Sequence, residues 1–206
     1  MTDRAIERRM FRCLAQMLEY PQPGLAEAAR ECQALVSPMC PEAATLLHRF
    51  CACVEEAPPG HMEEVYTATF DLDAVCQPYV GYHLFGETYK RSLFLLGLKQ
   101  RYQAHGFVAE IELPDHVGVM LHFLEVCDDA AMAEELVEEA LLPALERMIG
   151  KGQKEQVGTK GDEPHARPTE RMVYALPLQA VRLVLQQCQR TMKTQRRNRV
   201  QSSVGQ

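Results

Sequence analysis

Residues 88–106 read TYKRSLFLLGLKQRYQAHG. The stretch contains no proline, and its last residue, Gly106, is a common helix stop, so it predicts a long helix over residues 88–105. The run Leu93–Leu98 in the middle is apolar on every side of such a helix. A helix that is apolar all round is usually buried in a core. We therefore expect this helix to lie at the centre of a helical protein.

Proline and glycine residues divide the rest of the chain into further helices. Pro114 is expected to open one of them as a first-turn proline, while Pro143 and Pro177 are expected to bend two others. The predicted helices cover residues 4–19, 25–36, 41–57, 61–70, 79–85, 114–127, 130–149 and 169–193. No internal repeat and no convincing strand interrupts the pattern. The sequence therefore predicts an all-α, single-domain helical bundle over residues 1–193.

Two polar segments stand apart from these helices. Residues 150–168 contain four Gly and two Pro, with Val157 as the one large apolar residue, which predicts a long mobile loop before the last helix. Residues 190–206 carry five Lys or Arg and no acid. The end of this segment, residues 194–206, is expected to be a disordered basic tail.

The remaining charge is acidic and unevenly placed. The chain has a net charge of −6 in spite of its basic end, which argues against nucleic acid as a partner. Residues 102–146 hold eleven Asp or Glu and not one Lys or Arg. This run is either a solvated helix face or a surface that attracts a basic partner peptide. Ten methionines either fill the core or line an adaptable peptide-binding surface.

The sequence offers little for catalysis or for a bound cofactor. It contains no H-E-x-x-H, no C-x-x-C and no G-x-x-x-x-G-K-[ST], so we expect neither a metal nor a nucleotide. The eight cysteines are interpreted as small buried hydrophobes of a reducing cytosol. No apolar run approaches 18 residues, so no membrane-spanning helix is expected.

Asp115 and His116 are the residues most suggestive of chemistry. They are interpreted either as an acid/base or ligand pair, or as an acidic residue that complements a helix dipole beside a hydrogen-bonded histidine. A helical metal-dependent hydrolase that uses this pair remains an alternative.

The densest set of uncommon residues lies between Glu63 and Leu124. It reads Tyr66-x-x-x-Phe70-Asp71-Leu72, then Cys76-x-x-Tyr79-x-x-Tyr82-x-Leu84-Phe85-Gly86-Glu87, Arg91-Ser92, Leu98-Lys99-x-x-Tyr102, Gly106, Glu112-Leu113-Pro114-Asp115-His116 and Leu121-x-Phe123. This segment resembles the NarJ family, the cytoplasmic assembly chaperones of respiratory nitrate reductase, within the TorD/DmsD group of chaperones for molybdenum enzymes. The sequence departs from the family pattern at Gly81, His83, Glu87 and His122.

The resemblance implies a TorD-like fold and a chaperone rather than an enzyme. Such proteins bind the apo catalytic subunit of nitrate reductase, including a basic N-terminal segment that resembles a twin-arginine signal. They support insertion of the molybdenum cofactor and delay docking onto the membrane subunit until maturation is complete. A chaperone of the same group for another molybdenum enzyme is the alternative within this interpretation.

The resemblance also implies a peptide-binding surface. By the family pattern it falls on Tyr79, Tyr82, Leu84, Phe85, Pro114, Asp115 and His116. Asp115 is expected to face cations of the peptide, and His116 to hydrogen-bond the peptide or to position the groove. Tyr82, Leu84 and Phe85 are alternatively plain core residues. Arg91 and Lys99 are expected to tie the bundle together.

Overall fold

The computed structural model describes residues 3–71, 76–109, 112–158 and 173–204. Its helices are α1 (Asp3–Gln16), α2 (Leu25–Val36), α3 (Pro41–Glu56), α4 (His61–Phe70), α5 (Val80–Phe85), α6 (Tyr89–Ala104), α7 (Val117–Val126), α8 (Ala130–Glu135), a π-helical segment (Leu136–Leu141), α9 (Leu142–Gly158) and α10 (Ala175–Val204). The described residues contain no strand, only an isolated antiparallel bridge between Tyr79 and His116. The all-α prediction is confirmed.

The main body of the bundle is formed by the first three helices together with α7, α9 and α10. Helix α2 packs on α3, α1 on both α2 and α7, and α10 on α3 and α9. Tyr174, just before α10, is fully buried, and its ring contacts the rings of Phe50, Tyr66 and Phe70 at centroid distances of 5.2–5.7 Å. These edge contacts fix the start of the last helix against α3 and α4.

The predicted central position of Leu93–Leu98 is wrong. Leu93 and Leu96 are 50% and 53% exposed, and Leu98 is the one fully buried residue of the run. Helix α6 contacts α5 closely and turns one stripe inward, with Leu98 and Tyr102 buried. An apolar run predicts burial only when neighbours cover every side of the helix, and the outer side of α6 has none among the described residues.

Several predicted boundaries also differ. Pro114 does not open α7, which begins at Val117, three residues later. Residues 150–158 continue α9, and residues 194–204 continue α10, so neither stretch is the predicted loop or tail. Both contain good helix formers and no proline, which allows a preceding helix to continue. The rest of the predicted loop, 159–168, lies outside the described residues.

The expected bend near Pro143 is present as a change of helix type. The chain runs from α8 through the π-helical segment into α9, and the amide of Leu142 bonds to the carbonyl of Val137, five residues back. Pro143 has no N–H to give to the carbonyl of Glu139, which weakens the ordinary helical pattern at this turn. Among the described residues, no helix is long and apolar enough to span a membrane.

Candidate functional site

The two predicted parts of the peptide-binding surface, residues 79–85 and 114–116, meet in space. The amide of Val80 donates to the carbonyl of Asp115 at 2.8 Å, and the amide of Val117 donates to the carbonyl of Pro78 at 2.9 Å. We call this pair of segments the α5–α7 junction. It brings together residues that are about 35 positions apart in the sequence.

Asp115 is the buried anchor of the α5–α7 junction. Its side chain is fully buried, and its Oδ2 accepts a hydrogen bond from the Arg91 Nε at 3.0 Å. The expectation that Asp115 faces peptide cations is therefore not met, because a carboxylate with no exposed surface cannot meet a solvent-borne cation. A buried carboxylate needs a charged partner, and Arg91 of α6 supplies it. Arg91 thus has the predicted role of tying the bundle together.

His116 caps α7 from its N-terminal end. It is 1% exposed, and its Nδ1 accepts a hydrogen bond from the amide of Gly118 at 3.1 Å. Burial lowers the pKa of His116 although nearby carboxylates oppose this effect, which favours the neutral ring that such a cap requires. Its Nε2 has no hydrogen-bond partner among the described residues. Of the two expected roles, this geometry matches positioning rather than direct peptide contact.

Tyr79 covers His116 on its solvent side. The two rings lie 5.6 Å apart edge to face, and the Tyr79 hydroxyl donates to the Glu112 carboxylate at 3.2 Å. The Arg91 guanidinium lies 5.4 Å from the Tyr79 ring centroid. Burial, aided by Glu112, raises the pKa of Tyr79 to about 12. Tyr79 and Tyr82 are both partly exposed.

Leu84 and Phe85 line a groove on one side of α6. The groove has a volume of about 220 Å³ and an apolar floor, with Arg101, Glu135 and Glu139 as its charged residues. We call it the acidic groove. Its apolar residues and its glycine are Leu84, Phe85, Phe94, Gly97, Leu98, Leu136 and Ala140. Leu84 and Phe85 are both partly exposed, and Leu84 also packs against the hydrophobic core, so the alternative of a core role stays open for Leu84.

Arg147 of α9 holds the end of α5 that carries Leu84 and Phe85. Its guanidinium donates to the carbonyls of His83 and Leu84, which are left open at the end of a helix. A cation at this end also complements the helix dipole. The position of Leu84 beside the acidic groove is therefore fixed from α9 as well as from the α5–α7 junction.

Pro114 lines a second groove on the other side of α6. This groove has a volume of about 320 Å³, and its one charged residue is Lys99, which is exposed. We call it the Lys99 groove. Its other residues are Leu95, Leu96, Tyr102, Gln103, Phe107, Val108, Ala109, Leu113 and Pro114. Lys99 therefore lies at a groove rim rather than in the predicted tie between helices.

Sequence reasoning missed the charged residues of both grooves as site residues. Glu135 and Glu139 belong to the acidic run of residues 102–146, which signalled an acidic surface without showing which carboxylates share a groove. Lys99 was expected to tie the bundle together rather than to line a groove, and Arg101 gave no signal of its own. Among the described residues, no group of three or more His, Cys, Asp or Glu is placed to hold a metal ion.

A solved structure has the same fold. A protein from Archaeoglobus fulgidus, assigned to redox enzyme maturation, aligns with a TM-score of 0.52 and 23% identity, over 87% of this chain and 93% of that one. This likeness shows that the two chains share an all-α fold.

The family follows from the sequence match. Residues 22–151 match the family described as nitrate reductase delta subunit, so the chain belongs to that family. A Bacillus subtilis relative, named NarJ and assigned as a nitrate reductase molybdenum cofactor assembly chaperone, is 34% identical over 125 residues. That alignment spans 59% of this chain and 66% of the relative. The predicted resemblance to the NarJ family is confirmed.

Proposed function

We propose that this protein is an assembly chaperone that binds the apo catalytic subunit of a respiratory nitrate reductase. The family and the assigned role of the Bacillus subtilis relative support this class. The observation that carries the proposal at the level of this chain is the acidic groove, in which an apolar floor is combined with two exposed carboxylates. Its action would be binding and timed release rather than catalysis, and it needs no cofactor of its own.

The partner segment in this proposal is the basic N-terminus of the catalytic subunit. A peptide with arginines and apolar residues would bury its apolar side chains on the groove floor while its cations meet the acidic rim. Binding would keep the segment away from the membrane subunit and hold the apo protein open for insertion of the molybdenum cofactor. The cytoplasmic location implied by the resemblance is part of the same proposal.

Calorimetry with a synthetic copy of this N-terminal segment tests the peptide step. The control peptide has the same sequence except that its arginines are replaced by glutamates. We expect the native peptide to bind, with an affinity that falls as salt is added, and the charge-reversed peptide not to bind. Absence of binding by the native peptide would refute the peptide step.

The enzyme served is tested in cells. Deletion of the gene should leave nitrate reductase apo, with little molybdenum in the purified large subunit, while other molybdenum enzymes mature normally. If a different molybdenum enzyme is the one that loses its cofactor, the chaperone of the same group with another client is the correct interpretation.

A further inference from the structure

The floor of the acidic groove is open at a glycine of α6. The conformation of the helix does not require a glycine at that position. Gly97 lies in the middle of α6, and a Cβ added there would meet no atom within 4 Å. Its φ is not positive and no close neighbour requires the missing side chain. Glycine inside a helix is less stable than alanine. This glycine lines the acidic groove between Phe94 and Leu98 and adds no side chain to it.

The opposite wall of the groove is the π-helical segment. It contributes Leu136, Glu139 and Ala140. π-Helical turns are uncommon and occur frequently at functional sites. Leu136 and Ala140 of this segment are buried at the groove, while Glu139 is exposed at its rim.

The two rim carboxylates differ in what they contact. Glu139 forms no ion pair with the residues that the structure describes. Glu135 accepts from the guanidinium of Arg101 at 2.5 Å, with both side chains more than a third exposed. Exposed pairs of this kind are weak and exchange readily. The chain therefore already places one of its own arginines against the groove carboxylate that an arginine of a partner would use.

The other groove does not suit the same partner. Its one charged residue is Lys99, which repels a cationic segment. Charge complementarity therefore selects the acidic groove as the seat of a basic, apolar segment.

We propose that the acidic groove seats the basic segment of the partner, that Gly97 leaves room for an apolar side chain of that segment, and that Arg101 is an internal competitor for Glu135. One arginine of the segment pairs with Glu139, and a second displaces Arg101 from Glu135. This inference rests on the proposed function, since it names the contacts of the same binding event.

Four variants of the full chain test the inference by calorimetry with the native N-terminal peptide. Arg101→Gln removes the competitor and should tighten binding about threefold or more. Glu139→Gln should weaken binding about two- to fivefold, the effect expected for the loss of one exposed charge pair. Gly97→Leu should fill the groove and weaken binding strongly although it raises the melting temperature. Gly97→Ala is the matched control, with a similar rise in melting temperature and a small effect on binding.

The outcomes separate this inference from the proposed function. If the wild-type chain does not bind the peptide, both fail. If it binds but Arg101→Gln and Glu139→Gln leave the affinity unchanged, the peptide binds elsewhere and only the inference is overturned. Lys99→Gln should not weaken binding. A change of affinity in Lys99→Gln, with none in Glu139→Gln, would instead assign the peptide to the Lys99 groove.

Discussion

Gly81 stands so close to Asp115 that a Cβ on residue 81 would lie 2.7 Å from the Asp115 Oδ2. The same Cβ would approach Phe94 at 3.0 Å and the Cγ of Arg91 at 3.2 Å. Position 81 departs from the family pattern, and the structure gives it a physical reason. The missing side chain lets α5 approach the buried ion pair that joins α6 to the segment before α7.

Gly81→Ala should therefore destabilise the fold. The new methyl group must displace a buried carboxylate and its partner, and overpacking of this kind costs about 1–3 kcal/mol. Urea unfolding measures the change. Gly97→Ala is the matched control, because its Cβ meets open space, and it should stabilise the chain by about 0.5–1 kcal/mol. Equal effects of the two substitutions would contradict the close approach at Gly81.

Asp115→Ala should lower the stability of the fold rather than remove a direct contact with the peptide. It leaves Arg91 without its carboxylate partner at the α5–α7 junction. We expect a loss of about 3 kcal/mol, at the low end for breaking a buried pair because Arg91 keeps some exposure. The double variant Arg91→Met, Asp115→Leu should recover part of the loss. An unchanged melting temperature together with lost peptide affinity would restore the original expectation that Asp115 contacts the peptide.

Leu96 and Leu98 offer a test of the position of α6. Leu96 is half exposed at the Lys99 groove, whereas Leu98 is 2% exposed. Leu96→Gln should change the free energy of unfolding by less than about 0.5 kcal/mol, as exposed substitutions usually do. Leu98→Ala should cost about 2–5 kcal/mol. Chemical denaturation of both variants measures these changes in the free energy of unfolding. Similar large losses of stability would mean that α6 lies at the centre of the core.

His122 should make stability depend on pH near neutrality. Its Nε2 lies 3.0 Å from the Glu19 carboxylate and its Nδ1 lies 3.3 Å from that of Glu125. The hydrogen bond with Glu19 is the main cause that raises the pKa of His122 above 6.5. A raised folded-state pKa gives stability that is fully present below about 6.5 and is lost as pH rises through the raised value.

The check for His122 is a comparison of unfolding at pH 6 and pH 8. The wild-type chain should lose more stability over this interval than His122→Gln, which has no proton to release. His116 contributes with the opposite sign, because burial lowers its pKa. It is unchanged in both proteins, so its effect cancels in the difference. Identical pH dependence of the two proteins would show that protonation of His122 does not stabilise the fold.

The helices could be predicted closely from the sequence, and the site could not. Helix α2 has its predicted bounds, since prolines and glycines on either side act locally. The burial of Asp115 depends on Arg91, 24 residues away, and an acidic run suggests a surface until that partner is known. The acidic groove needs α5, α6 and the π-helical segment together, a juxtaposition that no local pattern encodes.

The apolar run on α6 also shows that the local sequence does not determine which residues are buried. Leu93 and Leu96 have the sequence pattern of a central helix, yet they lie on the outside. Local hydrophobicity records that a surface is apolar. It does not distinguish a face that packs inside the chain from one that lies at its surface.

Co-purification tests the central claim most directly. The tagged full-length protein is recovered from cells that cannot make the molybdenum cofactor, and bound proteins are identified by mass spectrometry. We expect recovery of the nitrate reductase large subunit in its apo form, and loss of that subunit when the cofactor is restored and maturation proceeds. Recovery of no nitrate reductase subunit under either condition would contradict it.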